Sequence, residues 1–464
     1  MRAFRGTILD FTGDPGATLE PPPDAVRLLP DGVLVTTDDG HVAAVEPWRG
    51  QFDDVVDYSG KLILPGMIDT HVHYVQMDAI ASHGEQVLQW LDRYVYPAEA
   101  RFDDVAHAER VAGFFLDTLL AAGTTTAMVW SSTPKESAEG FFRQAHARDL
   151  RMITGKVVQD GSSHGGNQDD ASVESARRDT VELIERWHGK GRLGYAVTPR
   201  FALTCSPAML RMCGELLDEH DVWLQTHLSE NLEEEAIVRA RFGTPTYTQA
   251  YVANGGLLRE RALFAHCCEI NEGDRELFRA HGASIAFCPT SNFFLGSGTH
   301  NLYETLKSKD GTRIRVGLGT DCGAGTSYSI LHTMGAAYQA QAMRAREYLG
   351  HHPPLTTVAP IEPLPGVRPA QGEPLPFDKL TAWRAFYLAT LGGAEALRLE
   401  HVIGSFNVGN EADFVVLDFA ATPVLKRRVE AAGSWHEKLF ALMALGDERA
   451  THATYVLAKM VSTT

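Results

Sequence analysis

The sequence predicts an α/β protein: a (β/α)8 TIM barrel with a small β-sandwich-like domain built from both chain termini. Three observations predict this fold class. Apolar runs alternate with amphipathic stretches through the middle of the chain, and short strand-and-turn patterns occupy both ends. The length of 464 residues suffices for one large barrel and a smaller domain. An open doubly wound sheet is the alternative, but it rarely continues through eight successive strand–helix units.

The two ends of the chain share one pattern. Residues 1–65 contain short alternating strands, such as "GVLVTT" and "HVAAVEPW" around the turn "DDG". The segment "IGSFNVGNEADFVVLDF" returns to strand and turn character near the other end. We therefore expect residues 1–65 and 405–464 to form one composite β domain, with an added helix in its C-terminal part. Residues 66–404 are expected to form the barrel.

The predicted barrel strands are apolar runs that end in polar residues. In order they are "LILPGMIDTHVH", "GTTTAMVW", "LRMITGKVV", "RLGYAVTPRF", "VWLQTH", "RALFAH", "ASIAFCP" and "RIRVGLGTD". Amphipathic stretches such as "SVESARRDTVELIERWHG" lie between them and predict the surrounding helices. A proline-rich insert at residues 351–376 follows the helix after strand eight, and we expect it to form a surface loop.

Composition and charge exclude several classes of protein. A formal net charge of −17 argues against nucleic-acid binding, which needs a basic face. The late apolar stretch "LFALMAL" is far too short to cross a membrane, and the first residues lack the apolar core of a signal peptide. Six cysteines without a CxxC pair are typical of reduced thiols, so a cytoplasmic protein is expected.

Histidines and one aspartate fall at the carboxyl ends of the predicted strands, where the chemistry of such barrels takes place. His71 and His73 end strand one and, two residues apart, face the same way. His227, His266 and Asp321 end strands five, six and eight. A lone strand histidine is more often a core residue, but this convergence predicts a divalent transition-metal site. The nitrogen-rich set favours zinc.

Two other motifs lack the features that would complete a site. The "HGE" that follows Ser82 has no accompanying P-C-x-x-C and is better explained as a capping box, with Ser82 at the N-cap and Glu85 at N3. The segment "GLGTDCGAG" lacks the spacing of a dinucleotide-binding loop. Its Gly317 and Gly319 are instead expected to leave space beneath a ligand.

In this order, the motifs resemble those of the amidohydrolase superfamily and, within it, the guanine deaminase family. The matching segments include "PGMIDTHVHYVQ", "GEQVLQWLDRYVYPAEARF", "TPRFALTCSPAML", "QTHLSEN", "IAFCPTSNFFLGSG" and "VGLGTDCGAGTSYSIL". Most of the barrel motifs indicate only the superfamily, whereas "TPRF", "QTHLSEN" and "GEQVLQWL" narrow the resemblance to this family. The segment "VVQDGSSHGGNQDD" departs from the family pattern, which leaves the role of residues 158–170 open.

The resemblance implies a site with one Zn²⁺ per chain. Its implied ligands are His71, His73, His227, His266 and Asp321, and its implied substrate-binding residues are Gln76, Trp90, Arg200 and Phe201. Glu230, three residues beyond His227, is implied to transfer a proton, with Asp321 as the general base. A related two-metal subclass uses a carbamylated lysine, but a structural role for Lys156 in strand three is the preferred interpretation.

The implied reaction is the hydrolytic deamination of guanine to xanthine and ammonia, in purine catabolism or salvage, by a homodimer. Another aminated heterocycle, such as 8-oxoguanine, cytosine or a triazine, is the alternative, because substrate identity depends on Gln76 and Arg200 rather than on the metal. Arg200 would otherwise form a surface salt bridge, and Trp90 would otherwise belong to the core. A non-catalytic scaffold is disfavoured, since every implied ligand and Glu230 are present.

Overall fold

The computed structural model describes residues 1–84, 86–161, 169–351 and 380–463 of the chain. Within these residues, eight parallel strands form a nearly closed barrel, and a separate seven-stranded sheet combines strands from both termini. The predicted fold class is confirmed.

The strands and helices alternate through the barrel. In chain order the strands are β1 Arg2–Phe11, β2 Val26–Thr36, β3 Val42–Pro47, β4 Val56–Pro65, β5 Met67–His73, β6 Thr124–Trp130, β7 Arg151–Gly155, β8 Val157–Val158, β9 Gly194–Pro199, β10 Trp223–Leu228, β11 Ala262–His266, β12 Ser284–Phe287, β13 Arg315–Leu318, β14 Phe414–Leu417, β15 Thr451–Val456 and β16 Lys459–Thr463. The helices are α1 Val87–Trp90, α2 Tyr96–Glu99, α3 Val105–Ala121, α4 Lys135–Ala147, α5 Val173–Trp187, α6 Pro207–Glu219, α7 Leu232–Phe242, α8 Tyr247–Ala253, α9 Glu272–His281, α10 Pro289–Phe294, α11 Leu302–Leu306, α12 Ile330–His351, α13 Ala382–Ala389, α14 Leu391–Ala396, α15 Pro423–Glu430 and α16 Trp435–Leu445. Short 3-10 turns at Tyr74–Ala79, Ala100–Asp103 and Glu448–Ala450 and a π-turn at Leu91–Val95 complete the described elements.

The barrel strands follow the order β5-β6-β7-β9-β10-β11-β12-β13, with β8 paired beside β9. Hydrogen bonds also join the end of β5 to the chain just beyond β13. The Asp321 N–H donates to the His71 carbonyl at 2.8 Å, and the His73 N–H donates to the Cys322 carbonyl at 2.8 Å. The first and last predicted metal ligands are therefore held side by side by the backbone.

The terminal sheet has the order β16-β15-β14-β4-β1-β2-β3, in which only β1 and β4 are parallel neighbours. The predicted first strand "LILPGMIDTHVH" was wrong in its extent: Leu62–Pro65 end β4 in this sheet, and β5 begins at Met67. Gly66 lies between them and packs so closely that an added Cβ would approach Thr125 Oγ1 to 2.0 Å. Only glycine lets the chain cross from one sheet to the other at this point.

The helices that cover the barrel form for local reasons visible in the sequence. Helix α5 begins with a capping box in which the Ser172 hydroxyl accepts from the Ser175 N–H at 3.1 Å. Its apolar face buries residues at helical spacing, including Ala176, Leu183 and Trp187. Neither α5 nor any other helix within the described residues is both long and apolar enough to cross a membrane.

The capping box predicted at Ser82 is wrong, because helix α1 begins at Val87 with Gln86 as its N-cap. The Ser82 hydroxyl instead accepts from Trp90 Nε1–H at 2.8 Å and donates to the Ala79 carbonyl at 2.7 Å. Glu85 lies outside the described residues. The predicted insert 351–376 also lies outside them, apart from the last residue of α12.

The glycines before Asp321 have a different role from the one predicted. A Cβ on Gly317 would lie 2.2 Å from Thr70 Cγ2, and a Cβ on Gly319 would lie 2.8 Å from His71 Cβ. The space beside these glycines is filled by β5 rather than left beneath a ligand. They allow the first and last barrel strands to approach closely.

Candidate active site

The predicted metal ligands meet at the carboxyl end of the barrel. His71 Nε2 lies 3.2 Å from His73 Nε2, and both lie near Asp321 Oδ1, at 3.1 and 3.2 Å. His266 Nε2 is 3.7 Å from Asp321 Oδ2. The ligand atoms of His71, His227 and His266 all lie within 4.8 Å of one another. The five side chains therefore present four imidazoles and one carboxylate to one point.

Hydrogen bonds at Nδ1, on the side of the ring away from the cluster, fix the orientation of two imidazoles. His227 Nδ1 lies 2.8 Å from the Arg200 carbonyl, and His266 Nδ1 lies 2.9 Å from Asn292 Oδ1. Since both partners are acceptors, each Nδ1 carries the proton and each Nε2 presents its lone pair to the centre. Burial lowers the pKa of His71 to about 4, so that ring is neutral, as a metal ligand must be. These residues fit a metal ion.

Backbone strain accompanies the ligands. His266 has a φ of 71° and Asp321 a φ of 49°, both in the left-handed region that non-glycine residues seldom adopt. The buried Asp69 stabilises this geometry by accepting from the His71 N–H at 3.1 Å and from the Thr320 N–H at 3.0 Å. Burial raises the pKa of Asp69 to about 7. Asp69 thus links the strand of His71 to the segment that carries Asp321.

Glu230 lies beside the imidazoles without belonging to their cluster. Its Oε2 is 3.7 Å from His266 Nε2, and its Oε1 accepts from the Ser297 hydroxyl at 2.8 Å. Burial raises the pKa of Glu230 above the ordinary value for a glutamate. The carboxyl therefore has the position and the raised pKa expected of a group that carries a proton. Sequence reasoning did not identify Ser297, because a serine in a loop gives no periodic signal.

A cavity opens onto this centre. It is lined by His73, Gln76, Val87, Leu88, Trp90, Leu91, Arg200, Phe201, His227, Glu230, Glu234, His266, Leu295, Asp321 and Ala324. All four predicted substrate-binding residues are among them. Trp90 is buried in an apolar cluster with Phe201 and Leu295, so it belongs both to a core and to the cavity wall.

Arg200 is buried rather than on the surface, with 3% of its area exposed. Its Nη1 donates to Glu99 Oε2 at 2.7 Å, and its Nη2 donates to Glu99 Oε1 at 3.2 Å. Gln76 Nε2 donates to Glu99 Oε1 at 3.0 Å and also lies 3.0 Å from His73 Nδ1. Two predicted substrate-binding residues thus share one carboxylate, which the sequence analysis did not identify.

Trp130 is a second residue that sequence reasoning missed. Its fully buried indole packs under the imidazoles, with its centroid 5.2 Å from that of His73 and 4.2 Å from that of His227. Trp130 ends β6, so its position at a strand end was an available signal. The aromatic surface excludes water from one side of the ligand cluster.

Lys156 has the structural role that was preferred for it. Its side chain is 1% exposed, and Nζ donates to Asp170 Oδ1 at 2.7 Å and to the Val157 carbonyl at 3.1 Å. Asp170 closes the divergent segment 158–170, of which residues 162–168 lie outside the described part of the chain. The ion pair joins this segment to the end of β7.

Comparisons with known proteins are consistent with this geometry. The sequence matches the amidohydrolase family over residues 62–356 and 372–461. It is 38% identical to the guanine deaminase of Escherichia coli, over 99% of this chain and 98% of that protein. The solved structure of E. coli guanine deaminase superposes with a TM-score of 0.87 at 37% identity, covering 100% of both chains. The guanine deaminase of C. acetobutylicum, solved with guanine in its active site, gives a TM-score of 0.83 at 25% identity, covering 99% of this chain and 100% of that one.

Proposed function

The chain belongs to the amidohydrolase family and, within it, to the guanine deaminases, and we propose that it converts guanine to xanthine and ammonia in the cavity described above. One observation carries this proposal. Three of the four clustered imidazoles, the proton-carrying Glu230 and the polar pair Arg200 and Gln76 all line the same cavity. A substrate there would contact the reactive groups at one edge and the binding groups at another.

We propose that one zinc ion is held by the four imidazoles and Asp321. The neutral His71 ring and the acceptor oxygens at Nδ1 of His227 and His266 support this assignment. When bound, zinc acts as a Lewis acid and lowers the pKa of a water molecule to about 7.

The residues of the chain supply the proton transfers. Burial alone would raise the pKa of Asp321, but His71, His73 and the other imidazoles hold it well below its ordinary value. The Asp321 carboxylate is therefore ionised and accepts the proton of the attacking water. Glu230 donates a proton to the ring nitrogen beside the amino-bearing carbon, which makes that carbon more electrophilic. The water oxygen bonds to this carbon as Asp321 takes one proton, and that proton then passes from Asp321 to the amino group, so the C–N bond breaks and ammonia leaves. The remaining hydroxyl proton returns to Glu230 as the carbonyl of xanthine forms.

Recognition of the base requires groups that match a flat, neutral molecule with donors and acceptors on its edge. The Arg200 guanidinium keeps N–H groups beyond those used by Glu99, and these donate to the carbonyl and ring nitrogens of guanine. Because Gln76 Nε2 is engaged by Glu99, its Oε1 is available to accept from a ring N–H. The Phe201 ring stacks on the base, and Trp90 closes the wall.

A panel of aminated bases tests the substrate. Ammonia release is measured with guanine, 8-oxoguanine, cytosine and an aminotriazine on the zinc-loaded protein. We expect guanine to be converted far faster than the others. Absence of ammonia from guanine, together with release from another base, would overturn the assignment.

Metal content and assembly are measured separately. Elemental analysis is expected to find one zinc per chain, and two equivalents would refute the single-metal site.

We also propose that the protein is a cytoplasmic homodimer, as its resemblance to the family implies. Sedimentation velocity tests the dimer, and cell fractionation tests the location.

A further inference from the structure

Glu99 is a carboxylate buried behind the cavity wall. It is 0% exposed and, unlike Arg200 and Gln76, it does not line the cavity. Both of those side chains donate to it, so Glu99 contacts the groups that are proposed to bind the base. It can therefore affect the substrate through them.

The Arg200 guanidinium is held from two directions by one short helix. Glu99 accepts from both of its terminal nitrogens, and the Tyr96 ring lies under it with the centroid 4.9 Å from Arg200 Cζ. Tyr96 and Glu99 are three residues apart in α2, so they project from the same face. Because the carboxylate contacts both terminal nitrogens and the aromatic ring contacts the flat face, the planar guanidinium is held in one orientation.

The pair also sets the charge of the wall. Burial alone would lower the pKa of Arg200, but the attraction of Glu99 outweighs it and raises that pKa, so the guanidinium stays charged. Without Glu99, the cavity would present an uncompensated buried cation, which favours an anionic ligand. With Glu99, the Arg200 side of the cavity offers donors without an uncompensated cation.

We infer that Glu99 is a positioning and specificity-determining residue: it fixes Arg200 and Gln76 and cancels the cation, so the cavity prefers a neutral base. This inference rests on the proposed function, since it assigns the same cavity to a purine. Xanthine ionises more readily than guanine. A compensated Arg200–Glu99 pair therefore favours binding of the substrate and release of the product.

The test compares two purine inhibitors of guanine deamination in mildly alkaline buffer, where xanthine is largely an anion and hypoxanthine largely neutral. Glu99→Gln is expected to shift the ratio of their inhibition constants about tenfold or more in favour of xanthine, and to raise KM more than it lowers kcat. Glu99→Asp keeps the charge, so its ratio stays near that of the wild type although KM rises.

The matched control is Asp413→Asn, which removes another buried carboxylate, paired with Arg192 away from the cavity. It is expected to lower the melting temperature and leave the inhibitor ratio unchanged. An unchanged ratio in Glu99→Gln, or an equal shift in Asp413→Asn, would overturn the inference.

A second variant covers the case in which Glu99→Gln does not fold. Arg200→Gln removes the cation and leaves Glu99 charged, so the ratio is expected to move in the opposite direction, against xanthine. If the ratio of inhibition constants does not move in either variant while the wild type deaminates guanine, the role of Glu99 is refuted and the proposed function is not. Absence of guanine deamination in the wild type refutes the proposed function instead.

Discussion

Ser297→Ala is expected to slow catalysis with little effect on substrate binding. The change removes the 2.8 Å hydrogen bond from the Ser297 hydroxyl to Glu230 Oε1 and leaves the remainder of the chain intact. A hydrogen bond to a charged group contributes about 1.5–3 kcal/mol. At about 1.4 kcal/mol per decade, its loss from the transition state lowers kcat roughly ten- to hundredfold. Because Ser297 does not line the cavity, KM is expected to change by less than about threefold.

The assay is ammonia release from guanine over a range of substrate concentrations. The control is Ser284→Ala, which removes a buried hydroxyl at the start of β12 that has no hydrogen-bond partner among the described residues. Its kcat is expected to match that of the wild type. An unchanged kcat in Ser297→Ala, or a rise in KM with constant kcat, would refute the role of the serine in holding Glu230.

Three further predictions concern stability, the cavity wall and the metal. Burial, with Glu230 nearby, raises the pKa of Glu234 to about 7, so folding favours its protonated form, and this contribution to stability is lost as pH rises from about 4.5 through 7. Glu234→Gln is therefore expected to match wild-type stability near pH 4 and to exceed it by about 3 kcal/mol above pH 8, measured by denaturant unfolding. Trp90→Phe loses the donor to Ser82 and is expected to raise KM about fivefold, from a hydrogen bond of about 1 kcal/mol, without changing kcat. Chelation is expected to lower the wild-type melting temperature, whereas added zinc should give His266→Ala a much smaller rise than it gives the wild type.

Periodicity and strand ends made most of the fold predictable. His73, His227 and His266 lie at the ends of β5, β10 and β11, where an apolar run in the sequence gives way to a polar residue. The same signal misplaced the start of the first barrel strand, since β4 and β5 are both apolar. The crossing between them depends on the lack of a side chain at Gly66, which only the contact with Thr125 reveals.

The residues that hold the site in place could not be predicted in this way. Glu99 and Ser297 lie in short helices and loops, where no period relates them to a strand end. Their partners are 101 and 67 residues away along the chain. A buried acid on a four-residue helix has the same sequence pattern as an exposed one, so its role becomes visible only when the fold brings Arg200 to it.

The most direct test of the account is the initial rate of ammonia release from guanine by the wild type and by Glu230→Gln, each carrying one zinc per chain. The matched control is Glu139→Gln, which removes a carboxylate on α4 that accepts hydrogen bonds from Arg143 and Trp187. We predict rapid release by the wild type and the control, and a loss of two to four orders of magnitude in Glu230→Gln. Full activity in Glu230→Gln, or no release from guanine by the wild type, would contradict the account.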